Sequence, residues 1–487
     1  MIQKIFDLSN LPKECTVEGI TNFDYEFQIY NLSEVRGEFV GYYSEGKSLK
    51  LFRDRVGGRN LYYKDMGNKV AVSTDILWVF NEGRKGLIDL PYLLNLNYIN
   101  TDYLEFQVPF DNETIYSGVN KVMPGEIVSF PDRKREKYWS LKFGENKFNK
   151  DDLLDLIIDA VNWRKELLKE GKYTSYLSGG IDSSSITILS NPEESFSGFY
   201  EHEQYSELDY IKCLERRFKP VKINEDRFYR FLPHLPELMP DPMGGLGVIP
   251  QLIVAMEAFR GGYHYAFTGE GGDEIFTGYN WNTAVFLLAR AVRDVKRDCY
   301  MVRYESMVDK ILQEGFGPLV AGLIGRGYNK EYQVSRILSI WDKNQPVENN
   351  IFKINVEIGL PAILTVDERV GIYSSVMPVS PLVDYNIIEY VASISPEERT
   401  RIPKYLFREA MKGILHDKIR ERRDKMGFPL PVEEWKWPMI PELLSSLQKR
   451  CLVLMDFAIT NYKPVIMDRR TWALCNLELI CRRLESE

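Results

Sequence analysis

A chain of 487 residues exceeds one ordinary core, since domains run to roughly 100 to 200 residues, so two domains are expected. It is 44% hydrophobic, 27% charged and 13% aromatic, the balance of a packed globular protein rather than a disordered one. A net charge of −8 gives no broad basic field, which sets nucleic acid aside as a main partner.

Six cysteines are scattered without CxxC pairing, which fits reduced thiols and a cytoplasmic location. The opening residues MIQKIFDLSN do not have the pattern of a secretory signal, and no apolar run reaches the roughly 18 residues that would span a bilayer, so no membrane partner is expected. With four histidines and no HxxxH pair, any metal should be held by carboxylates and phosphate.

Up to residue 139 the segments FVGYYS, LKLFRD, NLYYKD, KVAVST and EIVSF cluster or alternate apolar residues between Gly, Asn, Asp and Pro breakers. This predicts an antiparallel, mostly β domain. Residues 142–152 are polar and turn-rich, and helical spacing follows in DDLLDLIIDAVNWRKELLKEG, so domains at 1–148 and 149–487 are expected. Beyond that boundary YTSYL, SFSGFY and HYAFTG alternate with helical stretches, including one around residues 208–217, which predicts a parallel sheet with helical crossovers. After residue 281 the pattern is mainly helical, and no internal repeat is visible.

The sharpest local signal is YLSGGIDSSSI, residues 176–186. Gly179 and Gly180 let backbone approach a phosphate closely, and the N–H groups of the helix start supply positive potential. Ser178, Ser183 and Ser184 can donate to phosphate oxygens. Asp182 repels a bare phosphate, so its natural part is to hold Mg²⁺ against one. The plainer alternative is a capped strand–turn–helix. FTGEGGDEIFTGY, residues 267–279, repeats the logic with Gly269, Glu270 and Asp273, although glycines beside acids also occur as solvated loops.

Together the two strings carry a family resemblance. SGGIDSS resembles the pyrophosphate loop of the ATP pyrophosphatases, which split ATP to AMP and pyrophosphate while activating a carboxylate or carbonyl. TGEGGDEIFTGY is similar to SGEGGDELFGGY of the asparagine synthetases. The resemblance implies that Leu177, Ser178, Gly179, Gly180, Asp182, Ser183, Ser184, Gly198 of SFSGFY and Gly269 surround ATP and pyrophosphate. It further implies that Asp182 and Asp273 hold Mg²⁺, and that Glu270 is catalytic, standing where β-lactam-forming relatives carry a tyrosine base.

Residues 403–435, PKYLFREAMKGILHDKIRERRDKMGFPLPVEEW, place Lys404, Arg408, Arg423 and Lys425 around one expected amphipathic helix and a Gly-Phe-Pro turn. Such charges usually form a solvated face. The family's K-x-x-x-R and RxKxGF-x-x-P order implies instead that Lys404 and Lys425 face the phosphates. Lys425 would stabilise charge at the α-phosphate, and Arg423 would support the turn. Residues 367–391 resemble the family's D-R-x-x-M…E-x-R-x-P-F-L-D stretch. Aligned from Pro381 and Asp384, its glutamate and arginine fall near Met377 and Val379, which implies a substrate other than aspartate.

Residues 37–65 resemble the family's glutaminase domain, with Arg53, Asp54 and Arg55 in its A-R-D-R-F-G turn and expected to be structural. Glutaminase chemistry there uses an amino-terminal cysteine, whereas residue 2 is Ile2 and Cys15 lies far along the chain. A truncated, unarmed domain serving as scaffold, lid or partner surface is expected. The implied fold class is α/β and α+β: a truncated Ntn-hydrolase-like antiparallel domain, then a PP-loop parallel-sheet domain with a helical carboxy-terminal part.

The implied function is an ATP-dependent amide-forming ligase that uses ATP and Mg²⁺. It would join a small-molecule or peptide carboxylate to ammonia or an amine, without glutamine, in a chain that could form a homodimer. Two alternatives stand beside it: a peptide or intramolecular cyclase of lasso-peptide or β-lactam type, and a nucleotide-binding regulatory protein with catalysis lost.

Overall fold

The structure is a computed structural model that describes residues 1–23, 31–84, 90–169, 171–201, 205–243, 245–295, 315–325, 329–423, 430–454 and 467–486. The amino-terminal strands are β1 (Gln3–Asp7), β2 (Leu11–Thr21), β3 (Gly37–Gly46), β4 (Ser48–Arg53), β5 (Tyr62–Asp65), β6 (Lys69–Ser73), β7 (Asn120–Lys121), β8 (Glu126–Phe130) and β9 (Lys134–Lys137). They form two antiparallel sheets, ordered β1-β6-β5-β7 and β2-β3-β4-β8-β9.

Alternation along β3 explains how one strand serves two cores. Val40 and Tyr42 enter the core between the sheets with Phe6, Leu51 and Val72, while Phe39 and Tyr43 pack with Leu32 and Phe52 on the other face. Each such side chain, fully buried, contributes about 1.5–3 kcal/mol.

The second half is built on a parallel sheet of β10 (Tyr173–Tyr176), β11 (Ser195–Phe199), β12 (Phe218–Lys222), β13 (Tyr265–Phe267) and β14 (Met377–Val379), ordered β12-β11-β10-β13-β14. The helices that position the site are α1 (Lys150–Leu168), α2 (Ile181–Ser190), α3 (Val248–Arg260), α4 (Leu360–Ser374), α5 (Tyr385–Ser393) and α6 (Tyr405–Ala410). One core holds Leu153 and Ile157 of α1 with Phe267 and Ile388, and the other holds Phe196, Leu252 of α3 and Val366 of α4. β10 lies in the sheet interior yet is polar. Its buried Ser175 hydroxyl is 2.8 Å from Thr187 Oγ1 and 2.9 Å from Ser195 Oγ, so burial leaves it satisfied.

The fold is thus mixed α/β, with two antiparallel sheets and one parallel. It departs from the sequence-based expectation in four places. Strands β1 and β2 and the short helices between residues 76 and 106 were not legible as such, and residues 80, 98 and 116 pack into the same core as α3 and Trp472. The mainly helical region after residue 281 contains β14, which pairs with β13 from Tyr265↔Met377 to Phe267↔Val379. The helix expected around residues 208–217 covers only Leu208–Lys212. Lys404 and Arg408 do not open one long amphipathic helix: α6 ends at Ala410 and a separate single turn spans Asp417–Arg420. No helix among the described residues is long and apolar enough to cross a membrane.

Candidate active site

From β10 the chain lays down β11 and β12 on one side, then β13 and β14 on the other. Such a reversal opens a crevice at the carboxyl ends of the strands, here β10 and β13. Both glycine-containing loops leave from these ends. After β10, Leu177 is buried and donates its N–H to Phe196 O at 2.9 Å. The Ser178 and Ser183 hydroxyls lie 2.9 Å apart, and Ser183 Oγ also accepts the Ser178 N–H at 3.1 Å. Gly180 is the N-cap of α2, with Asp182 in its first turn. Ser184 is fully buried and is not part of the cleft wall.

After β13, Thr268 donates its N–H to Val379 O and its hydroxyl lies 2.9 Å from Ser380 Oγ, which ties this loop to β14. Gly269, Glu270, Gly272 and Asp273 then line the cleft opposite Ser178, Asp182, Ser183 and Gly198. Two of the glycines are dictated by close approach. A Cβ at residue 272 would lie 2.5 Å from Asp182 Oδ1, and one at residue 278 would overlap the Asp273 carboxylate and the Lys404 side chain.

Lys404 completes the arrangement from the far end of the chain. Its φ is 58°, a left-handed conformation costing a non-glycine residue on the order of 1 kcal/mol or more, and its N–H donates to Phe276 O at 3.0 Å. This conformation aims Nζ to 2.5 Å from both Asp182 Oδ2 and Asp273 Oδ1. Two carboxylates on different loops therefore converge on one cation. Their hard oxygen donors fit Mg²⁺, which is usually held by one or two carboxylates with substrate phosphates and water. Among the described residues no group of three His, Cys, Asp or Glu side chains gathers to form an all-protein metal cage.

Neighbouring side chains hold the loops. Arg422 donates to Gly179 O at 3.2 Å, lies 2.7 Å from Glu207 Oε1 and stacks 3.8 Å over the Tyr210 ring. Arg423 is exposed, and the Gly-Phe-Pro turn it was expected to support lies outside the described residues. Arg408 is buried, donating to the carbonyls of Pro403 and Arg422 at 3.1 and 2.8 Å, so it ties the segment together. Lys425 falls outside the described residues.

Burial, then the charge of Asp273, pushes the Glu274 carboxyl up to about 8, and this carboxyl accepts the Tyr279 hydroxyl. The cleft has a cavity volume of about 240 Å³ and is lined beyond both loops by Tyr176, Gln251 on α3, and Ile363, Asp367 and Val370 on α4. Sequence reading did not single out Tyr176, Gln251 or Asp367 as site residues. The available signal was an acid, Asp367, set among apolar residues at helical spacing in ILTVDERV.

Residues 152–456 match the family described as asparagine synthase. Asparagine synthetase (glutamine-hydrolyzing) 1 of Bacillus subtilis is 26% identical over 493 residues, covering 89% of this chain and 75% of that relative. Amidase chyE of Penicillium rubens is 23% identical over 479 residues, covering 80% of this chain and 69% of that relative. Among solved structures, a glutamine-dependent NAD⁺ synthetase from Acinetobacter baumannii in complex with ADP matches 49% of this chain and 50% of its own. Its 15% identity and TM-score of 0.21 carry no argument about the fold.

Proposed function

The chain belongs to the asparagine synthase family, and from that premise we propose that it is an ATP-dependent carbon–nitrogen ligase that adenylates a carboxylate and converts it to an amide. The observation that carries this reading is the convergence of Asp182, Asp273 and Lys404 where the two glycine-containing loops meet. ATP is consumed as a substrate, giving AMP and diphosphate. The diphosphate would lie against residues 178–183 and the N-terminus of α2, where backbone N–H groups and the Ser178 and Ser183 hydroxyls donate to it. Leu177, Gly198 and Gly269 would face the nucleotide.

Asp182 and Asp273 would hold Mg²⁺, which supplies neutralisation of the departing phosphate charge. Lys404, now between these acids, and Lys425 would turn to the phosphates, Lys425 to the α-phosphate. Glu270, in the cleft wall beyond the metal acids, would accept a proton from the attacking amine. The proposed division is a scaffold domain at residues 1–148 and a synthetase domain at 149–487.

Glutamine is not the proposed nitrogen donor. Ile2 is buried beside the inter-sheet core, and burial pushes the Cys15 thiol up to about 11, far from the reactive thiolate a glutaminase needs. The acceptor differs from aspartate in this reading, because Met377 and Val379 on β14 leave apolar groups where the family resemblance implies Glu and Arg. A carboxylate-dependent ATP–pyrophosphate exchange assay over a panel of amino acids and small peptides tests the reading. Exchange with any member supports it, and ADP as the product would refute it.

A further inference from the structure

A second cavity, of about 760 Å³, is lined from both halves of the chain and shares no lining residue with the cleft at the glycine-containing loops. Its volume falls within the roughly 300–1,000 Å³ of small-molecule sites. Phe110 and Trp139 of the amino-terminal half, and Trp341, Ile354 and Ile358 of the other, supply an apolar and aromatic lining. The Trp139 indole is fixed, because its Nε1–H donates to Glu389 Oε1 at 2.7 Å.

Charge sets what this cavity takes. Three of its four lining carboxylates are answered by cations of the same lining: Arg135 lies 3.1 Å from Asp111 and 2.7 Å from Glu126, and Lys137 lies 3.2 Å from Glu357. The fourth, Asp342, accepts the Asn344 N–H at 2.9 Å. Lys343 and Lys353 also line the cavity, and neither ammonium has a carboxylate or hydrogen-bond partner among the described residues. Arg55 donates to the carbonyls of Val35 and Ser33 and stacks 3.8 Å over the Tyr385 ring, yet its buried Nε has no partner among those residues. Lysine and arginine donate and never accept, so the unmet capacity calls for acceptor oxygens carrying negative charge. The indole and phenyl rings call for an aromatic body.

The wall of this cavity runs on into the wall of the nucleotide cleft. Lys353 and Ile354 end the helix Val347–Ile354, Glu357 and Ile358 lie in the π-turn Asn355–Gly359, and α4 follows from Leu360 without a break. Pro361 has no N–H to give the carbonyl of residue 357, and just before it the ladder widens, the Leu360 N–H donating to Asn355 O five residues back. Ile363, Asp367 and Val370 of α4 then line the nucleotide cleft. Val356 of the π-turn shares a core with Ile275, which lies on the same helical turn as Asp273. A single helical run therefore borders both cavities, with one widened turn between them.

We propose that this second cavity is an effector site for a carboxylate carried on an aromatic skeleton, and that its occupancy steadies the helical run 347–374 and with it a wall of the nucleotide cleft. Neither part depends on which reaction the cleft performs.

The test for binding is saturation-transfer NMR with 3-phenylpropionate, its neutral analogue 3-phenylpropanamide, and propionate. Wild type should bind 3-phenylpropionate about tenfold or more tighter than the amide, a hydrogen bond to a charged group being worth that much. Propionate, lacking the ring, should bind more weakly than either. Lys343→Gln and Lys353→Gln break no ion pair among the described residues, and each should bring 3-phenylpropionate toward the affinity of the amide. Trp341→Leu should weaken both aromatic probes. Equal affinity for acid and amide would overturn the site, as would affinities unchanged in all three variants.

The coupling is read by hydrogen exchange. Saturating 3-phenylpropionate should slow exchange through residues 347–374 in wild type and not in Lys353→Gln. Slowing that stops at residue 359 would overturn the link to the cleft. Absence of ATP–pyrophosphate exchange with every carboxylate, beside intact binding and slowing, would remove the ligase reading and leave the effector site standing.

Discussion

Arg164 of α1 and Asp384, at the N-cap of α5, lie 3.0 Å apart with about 1% of each side chain exposed. The same guanidinium lies 2.5 Å from Glu38 on β3, and Arg36 adds a second cation to Asp384 at 2.8 Å. The pair therefore fastens the antiparallel half to the parallel-sheet half through a buried charge network. Arg164→Met would leave two acids buried without this cation. A loss of about 3–5 kcal/mol is expected, measured by denaturant unfolding.

The same network predicts an acid limb in stability. Burial opposes ionisation of Asp384, but Arg164 and Arg36 outweigh it and hold its carboxyl below the usual range. A depressed carboxyl contributes stability that is complete above its unfolded value of about 4 and is lost as pH falls through the folded value. Stability should therefore fall as pH drops below about 4, and Asp384→Asn should flatten that limb. Paired unfolding curves from pH 3 to 7 measure it.

Lys404 predicts a metal response. Without its ammonium, the Asp182 and Asp273 carboxylates lose the cation they share. Lys404→Met should lower the Tm in chelator and show a larger Mg²⁺-dependent recovery than wild type. Turnover should fall about 100-fold or more, as for other groups that meet developing phosphate charge. Equal Mg²⁺ responses in the two proteins would count against these acids as ligands.

Gly278→Ala places a methyl against the Asp273 carboxylate and the Lys404 stem. The fold should survive, since the strain falls on two movable side chains. Activity should drop at least tenfold, read as kcat/KM beside an unchanged circular dichroism spectrum.

Glutamine should give neither amide nor glutamate, whereas ammonium or an amine should support product. Iodoacetamide at pH 8 should modify Cys15 slowly, since burial pushes its thiol up to about 11. Glutamate released in proportion to AMP would falsify the scaffold reading of the amino-terminal half.

How much of this was legible in sequence depends on how local the cause is. The loops around Ser178 and Gly269 announce themselves because each is a strand end, glycines and a helix start within a dozen residues. β14 could not be seen: Met377–Val379 has no periodicity, and only pairing with β13 makes it a strand. Arg422 was passed over because it is chemically identical to Arg423, and burial alone marks it as the one that holds the Gly179 carbonyl. Asp367 reads as one polar residue in an apolar helix, and nothing local shows that it lines the cleft. The RDR turn was legible as structural. Asp54 accepts N–H groups from Val56, Gly57 and Gly58 at 2.7–3.1 Å, a cradle that short spacing alone suggests.

The core shared across the two halves bears on what the amino-terminal half does for the cleft. Tyr103 donates its hydroxyl to Ala473 O at 2.9 Å, Lys121 pairs with Asp241 at 3.0 Å in full burial, and Phe80, Tyr98 and Tyr116 belong to the cluster that contains Leu252 and Trp472. Excising residues 1–148 would not release a tenant. It would unroof α3, the helix that carries Gln251 and Val254 into the cleft. The amino-terminal half is in this sense a wall of the cleft, set by packing and independent of any chemistry of its own.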